Sequence, residues 1–145
     1  MKHILLCFIV VVLLIVSCCI GAIQAESPIV TLAVLREQEY STPEEVKAMI
    51  PRVASLMNFR EKPLLFLAEH ESSFRPLVMG DNNLAYHTYQ YHMSTWTGFI
   101  KKYNLEYMNL DIKNPCDQTI LTIYALNDNQ HYNWSPYKTE KNPPF

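Results

Sequence analysis

The stretch Pro63-Leu64-Leu65-Phe66-Leu67-Ala68-Glu69-His70-Glu71-Ser72-Ser73-Phe74 decides how this chain is read. Proline is tolerated in a first helical turn, where its missing N–H would have no intrahelical partner, and Leu, Phe and Ala propagate helix well. The composition therefore predicts a short helix beginning at or near Pro63. Leu64, Leu67, Ala68 and Glu71 stand at i, i+3, i+4 and i+7, so the last member of the apolar stripe is a carboxylic acid. Glu69, two residues earlier, lies roughly 200° around the helix and is expected in water. A carboxylate at the end of an apolar stripe loses hydration, which favours its protonated form. Such an acid holds a proton near neutral pH and can deliver it to a leaving group; a glutamate simply hydrogen-bonded at a helix end is the alternative reading.

Outward from that helix, composition sets the bounds. The chain has 145 residues, room for one domain. Residues 1–25 carry one lysine, an apolar run from Ile4 to Val16 and a small-residue segment ending at Ala25. This is the layout of a secretory signal, with cleavage expected after Ala25 and a mature domain over residues 26–145. Two other fates fit the same residues. Ile15-Val16-Ser17-Cys18 has the form of a lipoprotein signal cut before Cys18, and Ile4 to Ile23, left uncut, is long enough to anchor. All three predict export to a periplasmic or extracellular space, the last two with membrane anchoring.

Twelve Lys and Arg against fourteen Asp and Glu give a net charge of −2, and losing Lys2 with the signal leaves 11 against 14, or −3. That weakly acidic balance gives no support for a nucleic-acid partner. Cys7, Cys18 and Cys19 fall in the signal, so the domain keeps only Cys116, expected as a buried apolar side chain in a fold without an intrachain disulfide.

Along the chain, Ser27-Pro28 suits the start of a helix from about Ile29 to Glu39, although Ile29, Val30, Thr31 and Val34 would also suit a strand. Thr42-Pro43-Glu44-Glu45 is a stronger start signal, a capping threonine with glutamate three residues on. Pro51 predicts that the following helix breaks into Pro43–Met49 and Pro51–Met57. Arg75-Pro76 ends the Glu71 helix, and residues 79–91 read as a loop region around Gly80-Asp81-Asn82-Asn83, with a short helix within it as the alternative. Ser94 is expected to cap a helix to about Tyr103, and Asn114-Pro115 opens a helix to about Leu126 whose apolar residues cover more than one face. The expected fold class is mainly α, with loops gathered on one side and Trp134 and Tyr137 packing back from the tail.

Aromatic residues cluster after the acid, at Tyr86, Tyr89, Tyr91, Trp96, Tyr124, Tyr132, Trp134 and Tyr137. Aromatic faces with polar tips suit sugar rings, although ordinary core packing explains any one of them as well. Asp81 is the one acid in the loop after Glu71, a candidate second carboxylate for a glycosidase or else a turn residue binding its own backbone. His87 and His92 complete no recognised metal-ligand spacing, and no glycine-rich phosphate loop is present. Neither a metal nor a cofactor is expected.

Taken in order, Leu67 to Pro76, Gly80-Asp81-Asn82, Tyr86 to Trp96, Asn114-Pro115-Cys116-Asp117-Gln118 and Asn133-Trp134 resemble the soluble lytic transglycosylase domain. Its marks are a Glu-Ser pair ending a core helix, a Gly-x-x-Gln segment leading into a helix, and an Asn-Pro-x-Asp-Gln helix. The resemblance covers roughly residues 50–138. It implies a lysozyme-like single domain with a loop-lined substrate cleft, acting as a monomer on peptidoglycan glycan strands. The family's acid falls on Glu71. By that resemblance, Glu71 protonates the oxygen between MurNAc and GlcNAc while the substrate's own N-acetyl group stabilises the anomeric carbon. Glu71 then takes the C6 hydroxyl proton, closing a 1,6-anhydro ring. Gln90 matches the family's glutamine, a partner of the sugar, and Ser72 the serine after the acid, near the N-acetyl group. Tyr86, Tyr89 and Trp134 complete the candidate substrate-binding set. Two positions depart from the pattern. His87 stands where the family has the glycine of Gly-x-x-Gln, and no Ala-Tyr-Asn-Ala-Gly segment follows Leu126, which leaves Tyr124 as the candidate for the tyrosine that orients the acid.

Two alternatives stay open on the sequence. One is a hydrolytic lysozyme on the same fold, using Asp81 and a positioned water. The other is a catalytically silent glycan-binding or assembly protein, motivated by His87.

Overall fold

The computed structural model describes residues 27–134 and is mainly helical. Two units divide the chain, Met1–Thr31 and Leu32–Phe145, and everything below concerns the second apart from the opening of the first helix. The expected signal, with Ala25, Cys7, Cys18 and Cys19, lies outside the described residues, as does Tyr137. The α-helices described are α1 (Pro28–Glu37), α2 (Pro43–Leu56), α3 (Glu61–Ser72), α4 (Met93–Lys102) and α5 (Pro115–Asn127). Between α3 and α4 lie three two-residue strands, β1 (Met79–Gly80), β2 (Ala85–Tyr86) and β3 (Tyr91–His92), paired antiparallel in the order β1-β2-β3.

The start signals act as their chemistry dictates. Ser27 Oγ accepts from the Val30 N–H at 3.3 Å, resolving the helix-or-strand alternative in favour of helix. Thr42 and Glu45 form a reciprocal capping box, and Asn114 Oδ1 accepts from the N–H groups of Cys116 and Asp117. Helix α1 stops at Glu37, before the expected Glu39, and the Tyr40 hydroxyl donates to the Leu35 carbonyl at 2.7 Å, satisfying one of its last acceptors.

Three expectations need correction. Pro51 does not break α2, which runs unbroken from Pro43 to Leu56. A proline inside a helix costs ~3 kcal/mol. Val46, Met49, Ile50 and Val53 on both sides of it are 0–1% exposed, and each buried side chain is worth ~1.5–3 kcal/mol, so packing wins. Helix α3 begins at Glu61, near Pro63 as expected, with the proline in its first turn. Helix α4 begins at Met93 after His92, so Ser94 lies inside it and caps nothing. The 79–91 segment holds the small sheet as well as a 3-10 turn at Asp81–Asn83, because two-residue strands are too short to show an alternating pattern.

Helix α5 is the centre of the core, with α2, α3 and α4 packed on it. Every residue from Pro115 to Ile123 is buried, polar ones included, and each buried polar side chain of α5 is satisfied. Asp117 pairs with Arg36 and accepts from the Asp111 N–H. Thr119 and Thr122 donate to the Pro115 and Gln118 carbonyls. Cys116 is free and fully buried, and burial pushes its thiol up to about 12, so it is an apolar core side chain.

Candidate active site

Helix α3 delivers Glu71 as its stripe requires: Leu64, Leu67 and Ala68 are fully buried, Glu69 is exposed, and Glu71 is half-buried. The helix ends one residue later, at Ser72. Ser73 and Phe74 both adopt left-handed backbone, with φ of 54° and 62°, and their N–H groups return to the Glu69 and Ala68 carbonyls, at 2.9 and 3.1 Å. The chain then turns into the sheet, which faces the acid. Glu71, Asp81, Ala85, Gln90, Tyr91, His92, Thr95, Asn133 and Trp134 line one cleft of about 330 Å³. A more open depression of about 660 Å³ lies elsewhere, lined by Pro51, Phe59, Arg60 and Pro63 among others.

Burial is the main cause that raises the Glu71 carboxyl, to about 7, with the nearby Asp81 charge adding to it and His70 opposing it. Among the described residues, no hydrogen bond reaches the Glu71 carboxyl group, so desolvation and through-space charge alone set its proton affinity. Asp81 Oδ2 lies 2.8 Å from His92 Nε2, a pair at the exposed rim of the same cleft. An acid protonated close to neutrality, facing a cleft lined by polar groups, can protonate a bound leaving group and, once ionised, take a proton back.

Gln90 is held on three sides. Its Nε2 donates to the His87 carbonyl at 2.6 Å and to the Val78 carbonyl at 3.5 Å. Its amide oxygen lies over Gly80, where a Cβ would overlap it, so the glycine is required by close approach. Gln90 itself sits at φ 51° and His87 at φ 54°, the left-handed region that L side chains adopt at a cost. Glycine would have no such cost at either position. The His87 ring is 6% exposed and is not part of the cleft lining, so its bulk lies behind the turn.

The candidate residues fall in three groups. Glu71, Gln90 and Trp134 are brought together in the cleft, along with Asp81. Ser72 and Tyr89 are buried behind it. The Ser72 hydroxyl bonds to the Ala68 and Thr88 carbonyls, tying the helix end to the β2–β3 turn. Tyr89 is fully buried, its N–H donating to Gln118 Oε1 and its carbonyl accepting from Trp134 Nε1 at 3.0 Å. Tyr86 and Tyr124 are off the cleft lining, Tyr86 beside the His87 ring and Tyr124 stacked on Tyr103 with centroids 5.9 Å apart.

Sequence reasoning did not single out Thr95 or Asn133 as cleft residues, and it weighed His92 only as a metal ligand. It also missed the work of Gln118, whose Nε2 donates to the Tyr86 and Ile112 carbonyls while its Oε1 takes the Tyr89 N–H. One fully buried amide thus clamps both ends of the turn that carries His87 and Gln90. A glutamine beside the Ile120-Leu121-Ile123 run of a helix expected to be buried on more than one face was the available signal, since a buried amide must find partners. The chain matches no family model, and no curated protein or solved structure is significantly similar to it.

Proposed function

We propose that this chain is a peptidoglycan lytic transglycosylase with a lysozyme-like fold, an exported enzyme that cleaves the MurNAc-GlcNAc β-1,4 bond. The observation that carries the reading is Glu71, an acid raised to about 7 by burial, free of hydrogen bonds among the described residues and facing a polar cleft. Glu71 protonates the glycosidic oxygen as the bond to the anomeric carbon breaks. The substrate's N-acetyl oxygen stabilises that carbon, and the carboxylate then removes the C6 hydroxyl proton as the oxygen closes the 1,6-anhydro ring. One group serves as acid and base, and its affinity near neutrality suits both steps. Gln90 is the sugar's hydrogen-bonding partner, and the Trp134 edge supplies an apolar wall. Neither metal nor cofactor enters this chemistry.

A second reading has an observation of its own. Asp81 lines the same cleft as Glu71 and its charge reaches that acid, the arrangement a hydrolase needs if a carboxylate is to hold the attacking water. Incubating purified peptidoglycan with the protein and with its Glu71→Gln variant tests the common core of both. Soluble muropeptides are expected from the first and not from the second. Equal release by the variant would remove Glu71 from the mechanism, and no release by either would leave a binding protein.

A further inference from the structure

The turn between β2 and β3 holds a concentration of unsatisfied polar atoms. Both ring nitrogens of His87 and the hydroxyl of Thr88 are buried without a hydrogen-bond partner among the described residues. An imidazole in such a place is tolerated while neutral, but a protonated one is a buried cation with no acceptor. The titratable groups that act on it are Lys113, which opposes protonation, and Asp111, which favours it more weakly; both stand on the segment leading into α5, with Tyr86 alongside on β2. Burial is the largest influence and keeps the ring below its ordinary value of 6.5.

The same residue is the bracket for Gln90. The His87 carbonyl accepts from the Gln90 backbone N–H at 3.2 Å and from its side-chain amide at 2.6 Å, and the His87 N–H donates to the Val78 carbonyl at 2.8 Å. A left-handed backbone at φ 54° is costly for a residue with a side chain, so the turn stays closed only while packing of the buried ring offsets that cost, and a ring that rotates out about χ1 removes that packing. From this we infer that His87 is a positioning residue: its buried neutral imidazole keeps the turn closed and Gln90 aimed into the cleft, and acid releases both. The site is therefore switched off at low pH by a group that never touches substrate. The claim about activity rests on the proposed function; the claim about the turn does not.

The consequences separate cleanly. Opening is coupled to uptake of one proton, so its equilibrium constant climbs about tenfold per pH unit below 6.5 until the ring titrates in the closed turn. Hydrogen exchange of the His87 and Gln90 amides, corrected for intrinsic rates, reads that slope directly without any substrate. Lost protection with this slope is expected in the native protein, and a flat response in His87→Asn, whose side chain tolerates the left-handed backbone and carries no proton. In muropeptide release, the native protein is expected to show an acid limb that His87→Asn lacks, while both lose activity as pH rises through about 7, where Glu71 ionises. If the protection of these amides in the native protein is independent of pH between 4 and ~6.5, the switch does not exist whatever the variant does. If the exchange slope is present but no activity is found at any pH, the turn is a switch and the enzymatic reading fails. An acid limb that persists in His87→Asn overturns the link between the two.

Discussion

Replacing Glu71 by glutamine should make the protein more stable above neutrality while abolishing its activity. In the folded chain the carboxyl titrates at about 7, against 4.5 in an unfolded one. Its affinity is raised, so the folded state binds more protons than the unfolded state between these values, and stability falls as pH rises through that window. At ~1.4 kcal/mol per pH unit, the distance from 4.5 to about 7 is worth about 3 kcal/mol at full titration. About 2.5 kcal/mol of that falls between pH ~5 and ~8.5, and solvent screening of the partly exposed carboxyl reduces it to about 2 kcal/mol. Glutamine has nearly the same shape and cannot ionise, so the variant lacks this loss. Urea unfolding followed by the fluorescence of Trp96 and Trp134, both buried, measures the difference at the two pH values. The variant should gain on the native protein by about 2 kcal/mol on going from the acid to the basic condition. A gap that stays constant between them would refute the claim that burial holds the proton on Glu71. A native protein that gains on the variant in base would mean that an unrecognised partner stabilises the carboxylate.

Three further outcomes follow from the same geometry. Gly80→Ala places a methyl group against the Gln90 amide, so cleavage should drop by an order of magnitude or more while urea unfolding shows a cost of about 1–3 kcal/mol; full activity would mean Gln90 is not needed where it stands. Asp81→Asn removes a charge that raises Glu71, so the Glu71 midpoint, read by carboxyl carbon NMR, should move below about 7, and no movement would show that Asp81 is not felt at the acid. Trp134→Phe keeps an aromatic ring and deletes the N–H that donates to the Tyr89 carbonyl, removing one buried hydrogen bond at a cost of about 0.5–1.5 kcal/mol by urea unfolding. An unchanged midpoint would detach the tail tryptophan from the core.

The helices were legible because their start signals are local. Thr42 with Glu45, Asn114 with Pro115, and the Leu64-Leu67-Ala68-Glu71 stripe each lie within two turns of chain, and each acts in the fold as its chemistry requires. Pro51 misled because its cost is local while the burial that overrides it comes from α5 and α3, many residues away. The sheet was hidden by brevity, and the turn by its partners. Gln118 sits 29 residues beyond the Tyr89 N–H that it receives, and Trp134 reaches 45 residues back to the Tyr89 carbonyl. Tyr86, Tyr89 and Tyr124 looked like sugar-facing aromatics since composition cannot tell a cleft wall from the core behind it. Position on the stripe separates half-buried Glu71 from exposed Glu69, because the helical period is a local property.

The mass of the products tests the central claim most directly. The muropeptides released from purified peptidoglycan by the native protein should be one water lighter than the corresponding hydrolysis products, and absent from digests with Glu71→Gln. Products of full hydrolytic mass, with free reducing ends, would contradict the anhydro-forming mechanism and hand the second step to a water held by Asp81.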